Sequence, residues 1–234
     1  MHRNPGACLI CGEPLQYFQE AKSLTCAICH KPFESHASCK AGHFVCDACH
    51  AQKGLEAIIT FCQKCTGSDP IRLAMGMMED PFIYMHGPEH HVLVGAALLC
   101  AYYHARGEEI PEAALSEMLR RGKDYPGGSC GFWGCCGAAV STGMFVSIVT
   151  GATPLTTRTW ALSNEMTADA LHAIAALGGP RCCKRNSFTA IREAVRFANE
   201  KLDVRMMLPE QIRCSFSSEN RECKRNACPY YPSL

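Results

Sequence analysis

The chain has 234 residues, 47% of them hydrophobic, and a formal net charge of +1. That length and apolar content allow a core of ordinary size and argue against disorder. The near-neutral balance excludes a bulk basic field for nucleic acid or anionic lipid, so no nucleic-acid partner is expected. The outlying feature is the cysteine count, 18 in all.

The N-terminal residues Met1–Gly6 lack the apolar core of a secretory signal. The longest apolar stretch, about Cys135 to Ala152, is full of Gly, Ser, Thr and Ala. It suits a buried helix better than a membrane span. A cytoplasmic location without membrane attachment is therefore expected. Thiols are kept reduced there, and paired cysteines mean metal or redox chemistry rather than disulfides.

In chain order, the first segment is turn-rich and poor in large apolar residues. It carries Cys8-x2-Cys11, Cys26-x2-Cys29, Cys46-x2-Cys49 and Cys62-x2-Cys65, with Cys39 and His43 between the second and third pairs. A CxxC knuckle aims two sulfurs at one ion, and two knuckles close a tetrahedral zinc site. One or two zinc ions are expected on Cys8, Cys11, Cys26, Cys29, Cys39, His43, Cys46 and Cys49. Three pairings are open. A sequential one groups Cys8, Cys11, Cys26 and Cys29, then Cys39, His43, Cys46 and Cys49. A crossed one joins the first knuckle to Cys39 and His43, and the second to Cys46 and Cys49. A third starts at Cys26 and runs to Cys65 with RING-finger spacing, which implies ubiquitin-ligase work but strands Cys8 and Cys11. His30, His36 and His50 are substitute ligands or surface residues.

Gly67-Ser68-Asp69-Pro70 reads as a boundary, with Asp or Ser as a helix cap and Pro at the first helical position. It divides residues 1–66, a zinc-binding module, from residues 67–234, a helical domain with a second cysteine site and a ligating tail. The helices expected are Pro70 to Glu79, Pro88 to Ala105, Pro111 to Arg121, Gly134 to Thr150, one capped by Thr167 and stopped at Gly178-Gly179-Pro180, and one capped by Asn186 and running to about Leu202. Gly134 to Thr150 is apolar all round, as a central helix would be. No stretch alternates with period two, so few strands are expected. The fold class is mainly α, preceded by a small zinc-ribbon or treble-clef-like module.

The chemistry of the second half sits between those helices. Cys130, Cys135 and Cys136 lie in a glycine-rich turn feeding one helix, and Cys182 and Cys183 just precede another. Free N–H groups and the helix dipole favour thiolates there, as do Lys184 and Arg185. The tail adds Cys214-x8-Cys223-x4-Cys228-Pro229, a Cys-Pro ending of the kind found in iron–sulfur ligation. Cys130, Cys135, Cys136, Cys182, Cys183, Cys214, Cys223 and Cys228 are thus the candidate ligands of an iron–sulfur cluster, a 4Fe-4S cubane. A thiol/disulfide or sulfur-relay site, structural zinc and inert thiols are the alternatives, and Cys100 reads as a small buried hydrophobe. His86-Gly-Pro-Glu89-His90-His91 surrounds a helix start. His86, Glu89 and His90, with Cys135 and Cys182, are the catalytic candidates, as proton carriers or at an open metal position. Helix capping by solvated histidines is the plainer alternative.

The segments CLICGEPL, HGPEHHVLVGAALL, PGGSCGFWGCCGAA, TGATPL and GGPRCCKR, spread over most of the chain, resemble the DUF5714 family of anaerobic bacteria and archaea. The resemblance implies oxygen-sensitive metabolism beside radical-SAM or methyltransferase modules, so a radical-SAM, methyltransferase or redox protein is the partner it suggests. A second likeness is to the helical redox family named for its C-GCAxxG-C-C pattern. Cys136-Gly137-Ala138 would be the motif core, preceding Cys182-Cys183, while Ser141 stands where the motif has glycine. Together these readings lead to an iron–sulfur or redox-thiol protein in electron, sulfur or one-carbon transfer, with enzyme favoured over carrier. The rival is a zinc-dependent interaction module with a structural helical body.

Overall fold

The computed structural model describes residues 8–232, and the Met1–Gly6 segment read above lies outside them. The chain opens with an antiparallel hairpin of β1 (Leu15–Thr25) and β2 (Pro32–Cys39), in register from Leu15 opposite Cys39 to Thr25 opposite Pro32, with an irregularity between Tyr17 and Lys22. Most of β1 is exposed, and β2 is buried only at its end, at Ser38 and Cys39. Such a two-stranded ribbon is marginal by itself, so something other than a core must hold it.

Helix α1 (Asp47–Cys62) follows, where sequence reading placed only turns and knuckles. Its buried residues Ala51, Leu55, Ile58 and Cys62 recur at helical spacing along one face. That face belongs to the same apolar core as the downstream helices, so α1 crosses from the cysteine-rich segment into the body.

The body continues with α2 (Pro70–Met78), α3 (His90–Ala105), α4 (Glu112–Asp124), a single turn α5 (Ser129–Phe132), α6 (Gly137–Thr150), α7 (Arg158–Leu177) and α8 (Cys183–Lys201). Asp69 caps α2, its Oδ1 accepting from the N–H groups of Ile71 and Arg72 at 3.0 and 3.1 Å. Helix α7 begins nine residues before Thr167, and α8 begins at Cys183 with Cys182, not Asn186, as its cap.

The central helix is α3 rather than α6: twelve of its sixteen residues are buried, against eight of fourteen in α6. Small residues let its neighbours close in. The Gly95 N–H donates to Ser141 Oγ at 2.9 Å, and a Cβ on Gly95 would overlap Met118. Helix α6 is closely packed on α7 at Gly143, where a Cβ would overlap Thr167.

The tail lies over α8 and is tied down by apolar anchors as well as by its cysteines. Ile212, Phe216 and Tyr230 are buried in the common core. Tyr230 accepts the Cys214 N–H on its carbonyl at 2.7 Å, its hydroxyl lies 3.0 Å from Thr189 Oγ1, and its ring meets Phe188 edge-on at 5.5 Å. The docking of the tail therefore does not rest on its cysteines alone. No helix among the described residues is long and apolar enough to cross a membrane.

Candidate metal centres and the cleft between them

The hairpin is held at its ends. Cys8, Cys11, Cys39 and His43 form one group and Cys26, Cys29, Cys46 and Cys49 another, each with donor atoms within 4.8 Å of one another. The grouping is the crossed one. β1 leaves the first knuckle and β2 returns to it, which carries Cys39 back to Cys11 at 3.7 Å, with His43 Nδ1 3.6 Å from Cys39 Sγ. The second knuckle sits at the hairpin turn, where the α1 N-terminus brings Cys46 to 3.9 Å from Cys29. Backbone N–H groups are aimed at the sulfurs: Ile10 to Cys8 at 3.4 Å, Ile28 to Cys26 at 3.5 Å and His43 to Cys39 at 3.2 Å. Burial works to raise the Cys26 and Cys39 thiols, but the backbone donors prevail and bring them down to about 6 and about 7. Both groups are four-donor sets of sulfur and nitrogen, the chemistry of a closed tetrahedral ion site.

Cys62 and Cys65, the last knuckle of the RING-like spacing, do not join them. Cys62 is buried at the end of α1. The Cys65 thiol is raised above the ordinary range first by Cys100 and then by burial, and the Cys100 thiol first by Cys62, which outweighs the opposing pull of Cys65, and then by burial.

A different arrangement appears at the tail. Cys182, Cys214, Cys223 and Cys228 line one small pocket with Met85, Phe188, Phe216 and Tyr230. The first comes from the cap of α8 and the others from the tail, so only the fold brings them together. Their sulfurs receive the same backbone donors as the knuckles: Arg185 N–H to Cys182 at 3.4 Å, Phe216 to Cys214 at 3.4 Å and Arg225 to Cys223 at 3.4 Å. The buried Asn220 amide adds a donor to Cys182 at 3.5 Å. Burial against these apolar walls pushes Cys214 up to about 11 and raises Cys182. Bare thiolates are therefore disfavoured, whereas a bound cation deprotonates a coordinating thiol outright. These four do not form a group within 4.8 Å, the spread that separates them from the two N-terminal sets. Cubane ligands need that wider spacing, on the order of 6–7 Å between sulfurs.

Between the N-terminal module and the body lies a cleft of about 680 Å³. His86, His90, His91, Cys130, Cys136, Cys182 and Cys183 all line it, facing Tyr17, Phe33 and His36 of the hairpin. Of the eight cysteines expected at a second site, Cys135 lines neither space; its carbonyl accepts the Tyr125 hydroxyl at 2.9 Å.

Glu89 is completely buried and organises the histidines. Its Oε1 accepts the Tyr84 N–H at 3.0 Å and lies 3.5 Å from His90 Nδ1, and its Oε2 lies 3.6 Å from His50 Nδ1. Burial works to raise this carboxyl, but the His50 and His90 rings beside it prevail and hold it well below the usual carboxylate range. His50, read from sequence as a surface residue or spare zinc ligand, is thus a partner of Glu89. His91 turns the other way, with Nδ1 donating to the Tyr125 carbonyl at 3.0 Å. His86 Nε2 faces Glu222 Oε2 of the tail at 3.2 Å. Burial, reinforced by the Arg181 charge, presses His86 down to about 3, and burial also lowers His90 and His91. These rings are neutral at physiological pH. His90 Nδ1 also donates to the Gly87 carbonyl at 3.2 Å, which leaves its Nε2, like His86 Nδ1, buried without a hydrogen-bond partner. Two unpartnered imidazole nitrogens at such a site call for a ligand.

The fold and these clusters define a mainly helical, cysteine-rich protein with an N-terminal metal-binding module. The family model described as "Family of unknown function (DUF5714)" matches residues 58–231, and the chain belongs to that family. No curated protein and no solved structure matches it.

Proposed function

We propose that this is a cytoplasmic iron–sulfur protein of oxygen-sensitive metabolism. In this reading Cys182, Cys214, Cys223 and Cys228 hold a 4Fe-4S cluster, and the two N-terminal groups hold structural zinc. The observation that carries the reading is the tail pocket: four cysteines from distant segments line one space, and backbone N–H groups point at three of the sulfurs. Such donors stabilise cluster sulfur and set its potential. When bound, the cluster would supply electron transfer. The chain's own residues do the rest: His86 and His90, held neutral by burial, each leave one ring nitrogen without a partner at the cleft, where it can take a hydrogen bond with a bound ligand. Electron, sulfur or one-carbon transfer beside a radical-SAM, methyltransferase or redox partner is the work this arrangement fits.

Anaerobic purification tests it. The reading expects a brown protein with absorption near about 400 nm and about four irons at the tail site. Changing Cys214 or Cys228 to Ser should remove that iron and increase protease cutting after residue 209 together. A colourless protein that contains zinc alone would instead favour the zinc-dependent interaction module.

A further inference from the structure

The cleft contains thiols that the tail pocket does not use. Cys130 on α5, Cys136 at the cap of α6 and Cys183 at the first turn of α8 all line it. Three separate segments are needed to bring them there, and each sulfur is already supplied with something positive. The buried Asn186 amide donates to Cys136 Sγ at 3.4 Å. The Gly87 N–H is directed at Cys183, and the Arg181 guanidinium acts on both Cys183 and Cys130. Cys136 and Cys183 also sit at the N-termini of helices of fourteen and nineteen residues, where unsatisfied N–H groups favour an anion. The thiols lie close enough to act electrostatically on one another, Cys136 on both Cys130 and Cys183.

Two simpler readings fit poorly. A single ion would need donors closer together than these, since they form no group within 4.8 Å. Inert packing would bury them, whereas they face an open cavity that also carries the unpartnered His86 Nδ1 and His90 Nε2 on its lining residues. Dispersed thiols, N–H donors to sulfur and a nearby guanidinium suit a larger anionic group.

We propose that the cleft binds a second iron–sulfur cluster through Cys130, Cys136 and Cys183, with its fourth iron left without a cysteine and open to the cavity for a small anionic ligand. Three thiolates satisfy three corners of a cubane, and the fourth is a coordination site. His86 and His90 then offer their unpartnered ring nitrogens as hydrogen-bond groups to a ligand on that iron. The inference goes beyond the tail cluster and does not need it. Cys182 and Cys183 are chain neighbours that serve different sites, which explains the vicinal pair.

The test uses the full chain, purified or reconstituted without oxygen, with iron, sulfide and zinc counted per chain and the reduced protein examined by electron paramagnetic resonance. Wild type should contain about eight irons, and C136S, C183S and C214S about four each. Cyanide, a small ligand for an open iron, should change the signal remaining in C214S and leave that of C183S unchanged. Two zinc ions in every variant would report an intact N-terminal module. If C183S loses its fold, C130S serves in its place, because Cys130 is exposed and its loss should not disturb the core. Wild type with about four irons that C136S, C183S and C130S all retain would overturn the proposal. So would a C214S signal indifferent to cyanide. If instead C214S kept all its iron while C183S lost it, the cleft cluster would stand and the tail reading would fall.

Discussion

The hairpin module and the helical body use cysteine in opposite ways. In the module the donors crowd within 4.8 Å and the strands between them bury little apart from the end of β2, so ligation would have to replace a core. In the body the thiols hang from helix ends and from a tail that are already packed, with α3 and α8 buried along most of their length. Metal in the first case would be part of folding. In the second it would be a guest in a structure that apolar packing already supports. The difference teaches that cysteine number alone does not separate scaffold from site; what separates them is whether the surrounding chain could stand without the ligand.

Removing metal should break the comparison most sharply. Structural zinc contributes on the order of 10–16 kcal/mol of apparent folding free energy. Chelation is expected to abolish amide protection across residues 15–46 while α3 keeps its slow exchange, followed by hydrogen–deuterium exchange. Loss of protection in both regions at once would mean that the body also depends on the metal.

A core truncation should do the reverse. Phe188 is fully buried and packs on Tyr230. Phe188→Ala is expected to cost about 3–5 kcal/mol of body stability. Denaturant unfolding should show it, with zinc content unchanged.

Acid should weaken the body through its histidines. Burial lowers His86, with Arg181 adding to the effect, and burial lowers His90 and His91 below the ordinary 6.5. As pH falls through about 6.5 the unfolded chain takes up protons that the folded chain refuses, so stability is lost on acidification. Each such histidine contributes up to about 1.4 kcal/mol per pH unit. Glu89, whose folded pKa is depressed, acts in the same direction lower down: its contribution is present above 4.5 and lost as pH falls further. Thermal melts between pH 7 and 5 should show a falling midpoint, with a shallower slope in His86→Asn. A flat profile would sink the account.

The smallest effect tests how the two regions are joined. Asp47 Oδ2 accepts the Gly127 N–H at 2.6 Å, a tie from the start of α1 to the loop before Cys130. The contact is exposed, and water competes for it, so Asp47→Ala should cost about 1 kcal/mol. The readout is faster exchange at Gly127 and Gly128 with α1 itself unaffected. Unchanged exchange would show that the module docks without this bond.

Much of the architecture could be read from local signals. Asp69-Pro70 announced a helix start because a cap and a first-turn proline act on adjacent residues. The knuckles announced ion sites because two sulfurs three residues apart already point together. Helix α1 went unread although Ala51, Leu55, Ile58 and Cys62 are spaced for one face. The cysteines that bracket it drew the segment into the knuckle pattern, and its apolar face has meaning only once α3 is there to cover it. The start of α7 was missed because Arg158–Asn164 has no side-chain cap, and no buried residue precedes Met166.

By itself, then, the sequence determined the donors, the helix count of the body in outline and the His86–His91 cluster, because each depends on residues a few positions apart. Tertiary structure decided the rest. It chose the crossed donor grouping, since strand pairing brings Cys39 back to Cys11. It gave His50 to Glu89 across the junction of module and body. It divided the later cysteines between the tail pocket and the cleft, with Cys182 lining both and Cys183 the cleft alone. Such pairings join segments up to 50 residues apart or more, as Asn186 and Cys136 do. No short-range pattern encodes them, because the free energy that selects them comes from burying the whole core at once.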